Sequence, residues 1–276
     1  MTVTASDAPR LSAWRSYLAD LWRRREFAQY LASANLRARN ANTALGLAWW
    51  VLNPLMLSLV YFLVFGILFG QVDETPRYLP HLLSGMFVFN FTVLSMTGGA
   101  NSILGNMSLL ANIRFPRLIL PISALIESTI GFLASLLVFY ALSIPVDGIW
   151  PGLHLLALPG VLGLHILFNL GLAAITARLV IPFRDINNLI PHFTRLWLYL
   201  SPIIWPLSFV TDRAPWVTDW LPLNPMVPLT GLYRWVLMGD ALAPGTLGAG
   251  IAWSLGMFVV GIIAFVRYEG NMVRHI

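Results

Sequence analysis

Six apolar runs, each close to the length of a bilayer crossing, constrain this chain more than any other feature of its sequence. They cover residues 45–69, 79–104, 118–144, 153–181, 190–209 and 247–266. A helix needs roughly 20 apolar residues to cross a hydrocarbon core about 30 Å thick. Inside that core no water pairs with backbone N–H and C=O groups, so each full crossing must be helical. Pro54 lies inside the first run, and Pro202 and Pro206 cut the fifth. Such kinks are tolerated where neighbouring helices cover the freed backbone groups. The runs predict an all-α membrane protein with six transmembrane helices.

Charge content argues the same way. Of 276 residues, 58% are hydrophobic and 11% are charged, whereas a soluble domain needs about 25% charged residues to cover its surface. The expected organisation is a cytoplasmic tail over residues 1–44 and a six-helix transmembrane domain over residues 45–276. The tail holds no apolar run of the kind a cleaved leader requires. It is instead rich in arginine, with Arg10, Arg15, Arg23, Arg24, Arg25, Arg37 and Arg39, and such a segment resists translocation.

The remaining charges set the orientation. Of the 17 basic residues, all arginine, only Arg77, Arg213 and Arg234 fall in the connections after runs one, three and five. The same connections hold Asp73, Glu74, Asp147, Asp212, Asp219 and Asp240. Arginine collects in the short loops on the cytoplasmic side, so both termini are expected in the cytoplasm.

Two segments outside the runs have their own pattern. In the tail, Leu11, Trp14, Leu18 and Leu21, and then Phe27, Leu31, Ala34 and Ala38, recur at helical spacing. With arginine on the other side, this predicts an amphipathic helix in the interface, either a gating element or a plain anchor. Between runs five and six, an apolar stretch is broken by Pro215, Pro222, Pro225 and Pro228. Short helices over 215–221 and 225–238 cannot cross, and are expected to be re-entrant or interfacial on the outer face; an ordinary loop on the headgroups is the alternative.

Much chemistry is absent. There is no cysteine, which excludes disulfides, Cys-based zinc sites and thiol catalysis. There is no lysine either, so the phosphate-binding G-x-x-x-x-G-K-[ST] loop cannot form and this chain cannot hydrolyse ATP by that route. No H-E-x-x-H or G-x-S-x-G stands in the sequence, and the five histidines show no metal-ligand spacing. The chain is therefore expected to be no enzyme, with no catalytic residue, no metal and no cofactor of its own. One carboxylate, Glu127, falls inside a run. An intramembrane acid marks a buried partner or a water-filled path, which leaves a structural pairing and a proton relay both open.

Three stretches carry a family resemblance. The first is Asn42-Thr43-Ala44-Leu45-Gly46-Leu47-Ala48-Trp49-Trp50-Val51-Leu52-Asn53-Pro54. The second is Asn112-Ile113-Arg114-Phe115-Pro116-Arg117-Leu118-Ile119-Leu120-Pro121. The third comprises Phe183-Arg184-Asp185-Ile186, Tyr199-Leu200-Ser201-Pro202-Ile203-Ile204-Trp205-Pro206 and Leu223-Asn224-Pro225-Met226. In order and spacing they resemble the membrane subunit, Wzm type, of ATP-binding-cassette exporters for O-antigen, capsule and teichoic-acid polysaccharides. The chain also looks similar to mycobacterial members that export the lipid-linked galactan of the cell wall.

The resemblance implies a permease for a polyprenyl-diphosphate-linked polysaccharide. It would act as a homodimer on two separate ATPase subunits, Wzt type, which bind the ATP and Mg. Nucleic acid is not an expected partner. Asn112, Arg114, Phe115 and Pro116 resemble the loop that couples to the ATPase, and Phe183, Arg184 and Asp185 a second contact. Arg23, Arg24 and Arg25 belong to the segment resembling the helix that admits lipid headgroups. Trp216, Pro225, Arg234 and Trp235 fall in the stretch resembling the external gate.

A sugar polymer also needs apolar faces to pack on, and aromatic side chains supply rigid area with small polar handles. Trp49, Trp50, Tyr61, Phe62, Trp197, Tyr199 and Trp205, on the first and fifth runs, are the candidates for the path. Aromatic belts at membrane interfaces are the competing explanation for them. The competing functions are export of drugs or small lipids within the same superfamily, a proton-coupled carrier using Glu127, and a membrane-bound sugar transferase. The last would want clustered acids in an inner loop, where only Asp185 is found.

Overall fold

The computed structural model describes residues 11–40, 45–113, 115–207 and 215–269, and among them every regular element is helical. Among the described residues, five helices are long and apolar enough to cross a membrane. Each matches one of the runs. Helix α3 (Trp49–Tyr61) continues as a π-helical segment, Phe62–Leu68. The others are α5 (Tyr78–Leu104), α7 (Ile119–Asp147), α8 (Leu158–Leu179, led in by the 3-10 turn Leu153–Ala157) and α11 (Thr246–Glu269). Shorter helices fill the connections: α4 (Gln71–Glu74), α6 (Met107–Asn112), α9 (Ile186–Tyr199) and α10 (Met226–Met238). The tail forms α1 (Leu11–Arg23) and α2 (Arg25–Asn40).

Helix α5 is the centre of the bundle. Of its most apolar stretch 72% is buried, against 22–33% in the other four crossings, which turn wide faces outward. Phe87, Val88 and Phe91 of α5 pack with Phe132 and Phe139 of α7 and Tyr233 of α10. In lipid the hydrophobic effect does not draw helices together, so close contact rests on small residues that let backbones approach. Helix α8 meets α11 in this way: a Cβ on Gly171 would collide with the Met257 backbone, and one on Gly261 with that of Gly171. Gly99 of α5 faces the Ala173 backbone of α8 with only 2.5 Å for a Cβ.

Side-chain contacts define the two ends of the bundle. At one end Asn187, at the start of α9, donates to Asn101, at the end of α5 (3.0 Å), and Arg178 of α8 lies over the Tyr268 ring of α11. At the other end the Tyr78 hydroxyl donates to the Ile204 carbonyl (2.7 Å), and Tyr140 to that of Leu237 (3.2 Å). The connections holding Arg117 and Arg184 lie at the first end, and those holding Arg77 and Arg234 at the second.

The structure departs from the sequence expectation in two places, the fifth run and the tail, and decides between two alternatives in a third. The fifth run is not one helix: α9 has 14 residues, about 21 Å, and residues 200–206 form turns with Ser201, Pro202, Ile203 and Ile204 buried. Proline lacks the N–H a helix needs and biases its predecessor away from helical backbone, so Pro202 and Pro206 end the helix. Of the two placements expected for the helix over 225–238, re-entrant and interfacial, the buried position of α10 fits the first, with Met226, Leu229, Leu232 and Tyr233 fully buried. In the tail, the docking face of α2 is centred on Ala28 and Ala32. Phe27 and Leu31 are half-buried, Ala38 is exposed, and Leu18 of α1 is 56% exposed.

Candidate functional site

The arginine-rich end gathers both loops expected to couple. Helix α6 ends at Asn112, which is exposed and donates to the Ser108 carbonyl (2.8 Å). Arg114 lies outside the described residues. Phe115 is half-buried and meets Phe27 of α2 edge to face, centroids 5.5 Å apart; Pro116 follows it just before α7. The second loop presents Phe183, Arg184 and Asp185, all exposed, immediately before α9.

A carboxylate that the sequence reading did not single out holds this end together. Glu269, at the end of α11, accepts from the Tyr17 hydroxyl of α1 (2.7 Å) and from the backbone N–H of Arg117 (2.7 Å). The Arg117 guanidinium in turn donates to the Glu269 carbonyl (2.8 Å). Burial, reinforced by the Glu269 charge and hydrogen bond, raises the Tyr17 phenol well above its ordinary range. Helix α1, the loop before α7 and the end of α11 are thereby tied at one point. The available signal was an acid standing in an arginine-rich face, where a partner is expected.

Along the bundle, α3, α5 and α9 enclose a groove of about 380 Å³. Tyr61 of α3 and Tyr199 of α9 face each other across it, with hydroxyls 3.2 Å apart and rings edge to face. Asn53, Asn90 and Arg195 add polar groups to a lining otherwise made by residues such as Leu57, Phe89 and Val93. The other aromatic candidates are turned elsewhere. Trp197 packs edge-on against Phe89 and donates to Asn224 (2.9 Å). Trp205 donates to the Tyr199 carbonyl (3.1 Å). Phe62 stacks on Tyr78. Trp50 rests on Gly131 of α7, and Trp49 is 41% exposed.

At the opposite end the broken fifth run is satisfied from outside itself. Arg234 of α10 is buried and donates to the carbonyls of Pro202 (2.8 Å) and His81 (3.3 Å). Asn224 donates to the Leu200 carbonyl (3.1 Å) while its own oxygen accepts from Trp197 and from the Met226 N–H. Pro225 is the N-cap of α10, Trp235 meets the His154 ring edge-on, and Trp216 is 73% exposed. Asp240, just after α10, has its carboxyl raised by burial, opposed by Arg234 and Arg77. The candidate headgroup arginines, Arg23, Arg24 and Arg25, stand exposed at the α1–α2 junction, with Arg25 over the Trp22 ring.

Glu127 is buried on α7 and accepts from the Asn35 amide of α2 (2.8 Å), so it has a partner across helices. No group of three or more histidine or acidic residues that could hold a metal ion occurs among the described residues.

Residues 27–238 match the family described as ABC-2 type transporter. The chain is 32% identical over 216 residues to an O-antigen export system permease protein, RfbA, of Myxococcus xanthus, covering 76% of this chain and 82% of that one. It is 24% identical over 203 residues to a Klebsiella pneumoniae protein of the same name, covering 71% and 75% respectively.

Proposed function

This chain belongs to the ABC-2 type transporter family, a multi-pass membrane family of exporter permeases, and from that premise we propose that it moves a polyprenyl-diphosphate-linked polysaccharide outward across the inner membrane. The observation that carries the proposal is the similarity to O-antigen export permeases over about three quarters of both chains. The family match runs from α2 to α10 and so takes in both exposed loops and the groove.

The parts take the following roles. The arginine-rich end is the cytoplasmic face, with both termini on it. Asn112, Phe115 and Pro116, with Phe183, Arg184 and Asp185, meet the cleft of a separate Wzt-type ATPase, which binds the ATP and Mg. Phe115 passes movement to α2 through Phe27, and Glu269 carries it to α1 and α11. The groove between α3 and α9 is completed by a second copy of the chain. Its paired tyrosines offer the mixed apolar and hydroxyl surface that suits sugar rings. Residues 186–206 make the sixth crossing as a broken one, and α10 is the re-entrant gate above it. Galactan is one polymer of suitable chemistry.

The test is co-reconstitution with a Wzt-type ATPase subunit. The expected result is ATP hydrolysis stimulated by lipid-linked glycan, with export that survives collapse of the proton gradient. Stimulation by small hydrophobic drugs, with none by the glycan, would overturn the proposal in favour of a drug or lipid exporter.

A further inference from the structure

Arg195 stands apart from the arginines that set topology, because it lies inside the fifth run. It is exposed on the face of α9 that lines the tyrosine groove, where Pro191, Thr194, Arg195, Leu198 and Tyr199 recur at helical spacing. Two contacts fix its depth. Near the start of α9, Asn187 bonds to Asn101 of α5, and near its end Trp197 packs on Phe89 of α5. The two helices run in opposite directions, so Arg195 stands between these contacts and opposite the middle of α5. It is about 12 Å along the helix from Asn187.

A cation at that depth is costly and marks a partner of opposite charge or a path for a substrate or ion. The walls of the groove supply no such partner. Residues 38–72, 75–126 and 186–211, which contain α3, α5 and α9, hold no aspartate or glutamate. Glu127, the acid inside α7, lines a separate cleft and accepts from Asn35. In the dimer proposed above, a second copy brings the same acid-free helices to the groove.

The groove offers donors around Arg195. One hydroxyl hydrogen lies between Tyr61 and Tyr199, which are 3.2 Å apart, and the other is left to donate outward. Asn53 of α3 and Asn90 of α5 add side-chain amides. A planar guanidinium meets two oxygens of a phosphate at once. The rest of the wall is apolar, with Leu57, Phe89 and Val93, which suits an anion carried on a lipid better than a free one. The diphosphate is also the part of a polyprenyl-diphosphate-linked polymer that an apolar interior rejects most strongly, because its charge loses hydration there.

Resting on the glycan-export reading above, we propose that Arg195 is a phosphate-binding site at the middle of the membrane, which holds the diphosphate of the lipid anchor as it crosses.

The test uses the full chain with Wzt-type ATPase subunits in nanodiscs. Binding of radiolabelled farnesyl diphosphate is measured without ATP or Mg, with farnesol and inorganic pyrophosphate as competitors. ATPase rate is then measured against the concentration of polyprenyl-diphosphate-linked glycan. Arg195→Gln removes the charge, and Arg195→Lys keeps a charge without the planar fork. Arg195→Gln is expected to weaken farnesyl diphosphate binding, and to raise the half-stimulating glycan concentration, by about tenfold or more, the loss of one charge-assisted hydrogen bond. Arg195→Lys is expected to lose less, and reports on the site even where the glutamine variant fails to assemble. The proposal is overturned if farnesyl diphosphate does not bind wild type, if neither variant weakens its binding, or if farnesol displaces it, since the groove would then read the tail. Displacement by an equal concentration of pyrophosphate would assign the site to free anions and overturn it as well. Should farnesyl diphosphate bind in an Arg195-dependent way while the glycan fails to stimulate wild type, the phosphate site stands and the export reading fails.

Discussion

Arg117 and Arg234 stand at opposite ends of the bundle and meet different partners. Arg117 joins a carboxylate residue, Glu269, on a half-exposed face that also binds Tyr17. Arg234 is buried and, among the described residues, donates to two carbonyls, those of Pro202 and His81. At the first end a charge ties separate elements where water is near. At the second it replaces backbone donors that the proline-broken segment lacks, in a place where water cannot. One residue type thus serves as a surface tether and as a graft onto a broken helix. The difference follows from which backbone groups are left unpaired nearby.

The largest effect should come from removing the graft. Arg234→Leu leaves the Pro202 and His81 carbonyls without this donor, and a buried unpaired polar group costs about 1–3 kcal/mol. The expected outcome is a drop of several degrees in melting temperature and loss of monodisperse protein in detergent. A variant that melts like wild type would break the comparison. Asn224→Ala should follow, at about 1–3 kcal/mol, because it takes a partner from Leu200, Trp197 and the Met226 N–H together. Thermal melting of Asn224→Ala alongside Trp197→Phe separates these contributions.

At the tethered end the effect on stability should be smaller and the effect on coupling larger. Glu269→Gln removes the charge from two charge-assisted bonds, each worth about 1.5–3 kcal/mol when well shielded and less here, where water screens. ATPase activity of the reconstituted complex is expected to persist while its stimulation by substrate falls. Intact stimulation would show that the tether transmits nothing. Tyr17→Phe should be the mildest, near 0.5–1.5 kcal/mol.

Tyr17 also predicts a pH dependence. Its folded pKa is raised above the unfolded value, so its contribution is complete below about pH 10, the ordinary tyrosine value, and falls as pH rises beyond it. Melting curves between neutral and alkaline pH should show that loss, and Tyr17→Phe should lack it.

Much of this was legible in sequence, and for identifiable reasons. Five crossings announced themselves because an apolar run of about 20 residues has few other fates in lipid. The break in the fifth run was marked by Pro202 and Pro206, since a missing N–H is a local property. Less legible was what repairs the break. Arg234 reads as one more outer-loop charge, and nothing within ten residues of it reveals the Pro202 carbonyl it serves. Glu269 likewise gains its meaning from Tyr17 and Arg117, which lie 252 and 152 positions away. The aromatic candidates show the same limit. Composition picks out Tyr61, Trp197, Tyr199 and Trp205 alike, but only the fold turns the two tyrosines to the groove and the two tryptophans onto Asn224 and the Tyr199 carbonyl.

The amino-acid sequence by itself determined the solvent of this protein, the helical character of its crossings and the uneven spread of its arginines. Those properties depend on hydropathy and charge summed over short stretches of chain, and each stretch carries them alone. Tertiary structure decided that α10 sinks into the bundle, that Ala28 and Ala32 carry the docking of α2, and that a polar cleft opens beside Glu127. These depend on pairings between distant residues. A carbonyl freed by proline, or a glycine pressed on a neighbouring backbone, has no consequence until the partner that meets it has been brought into place.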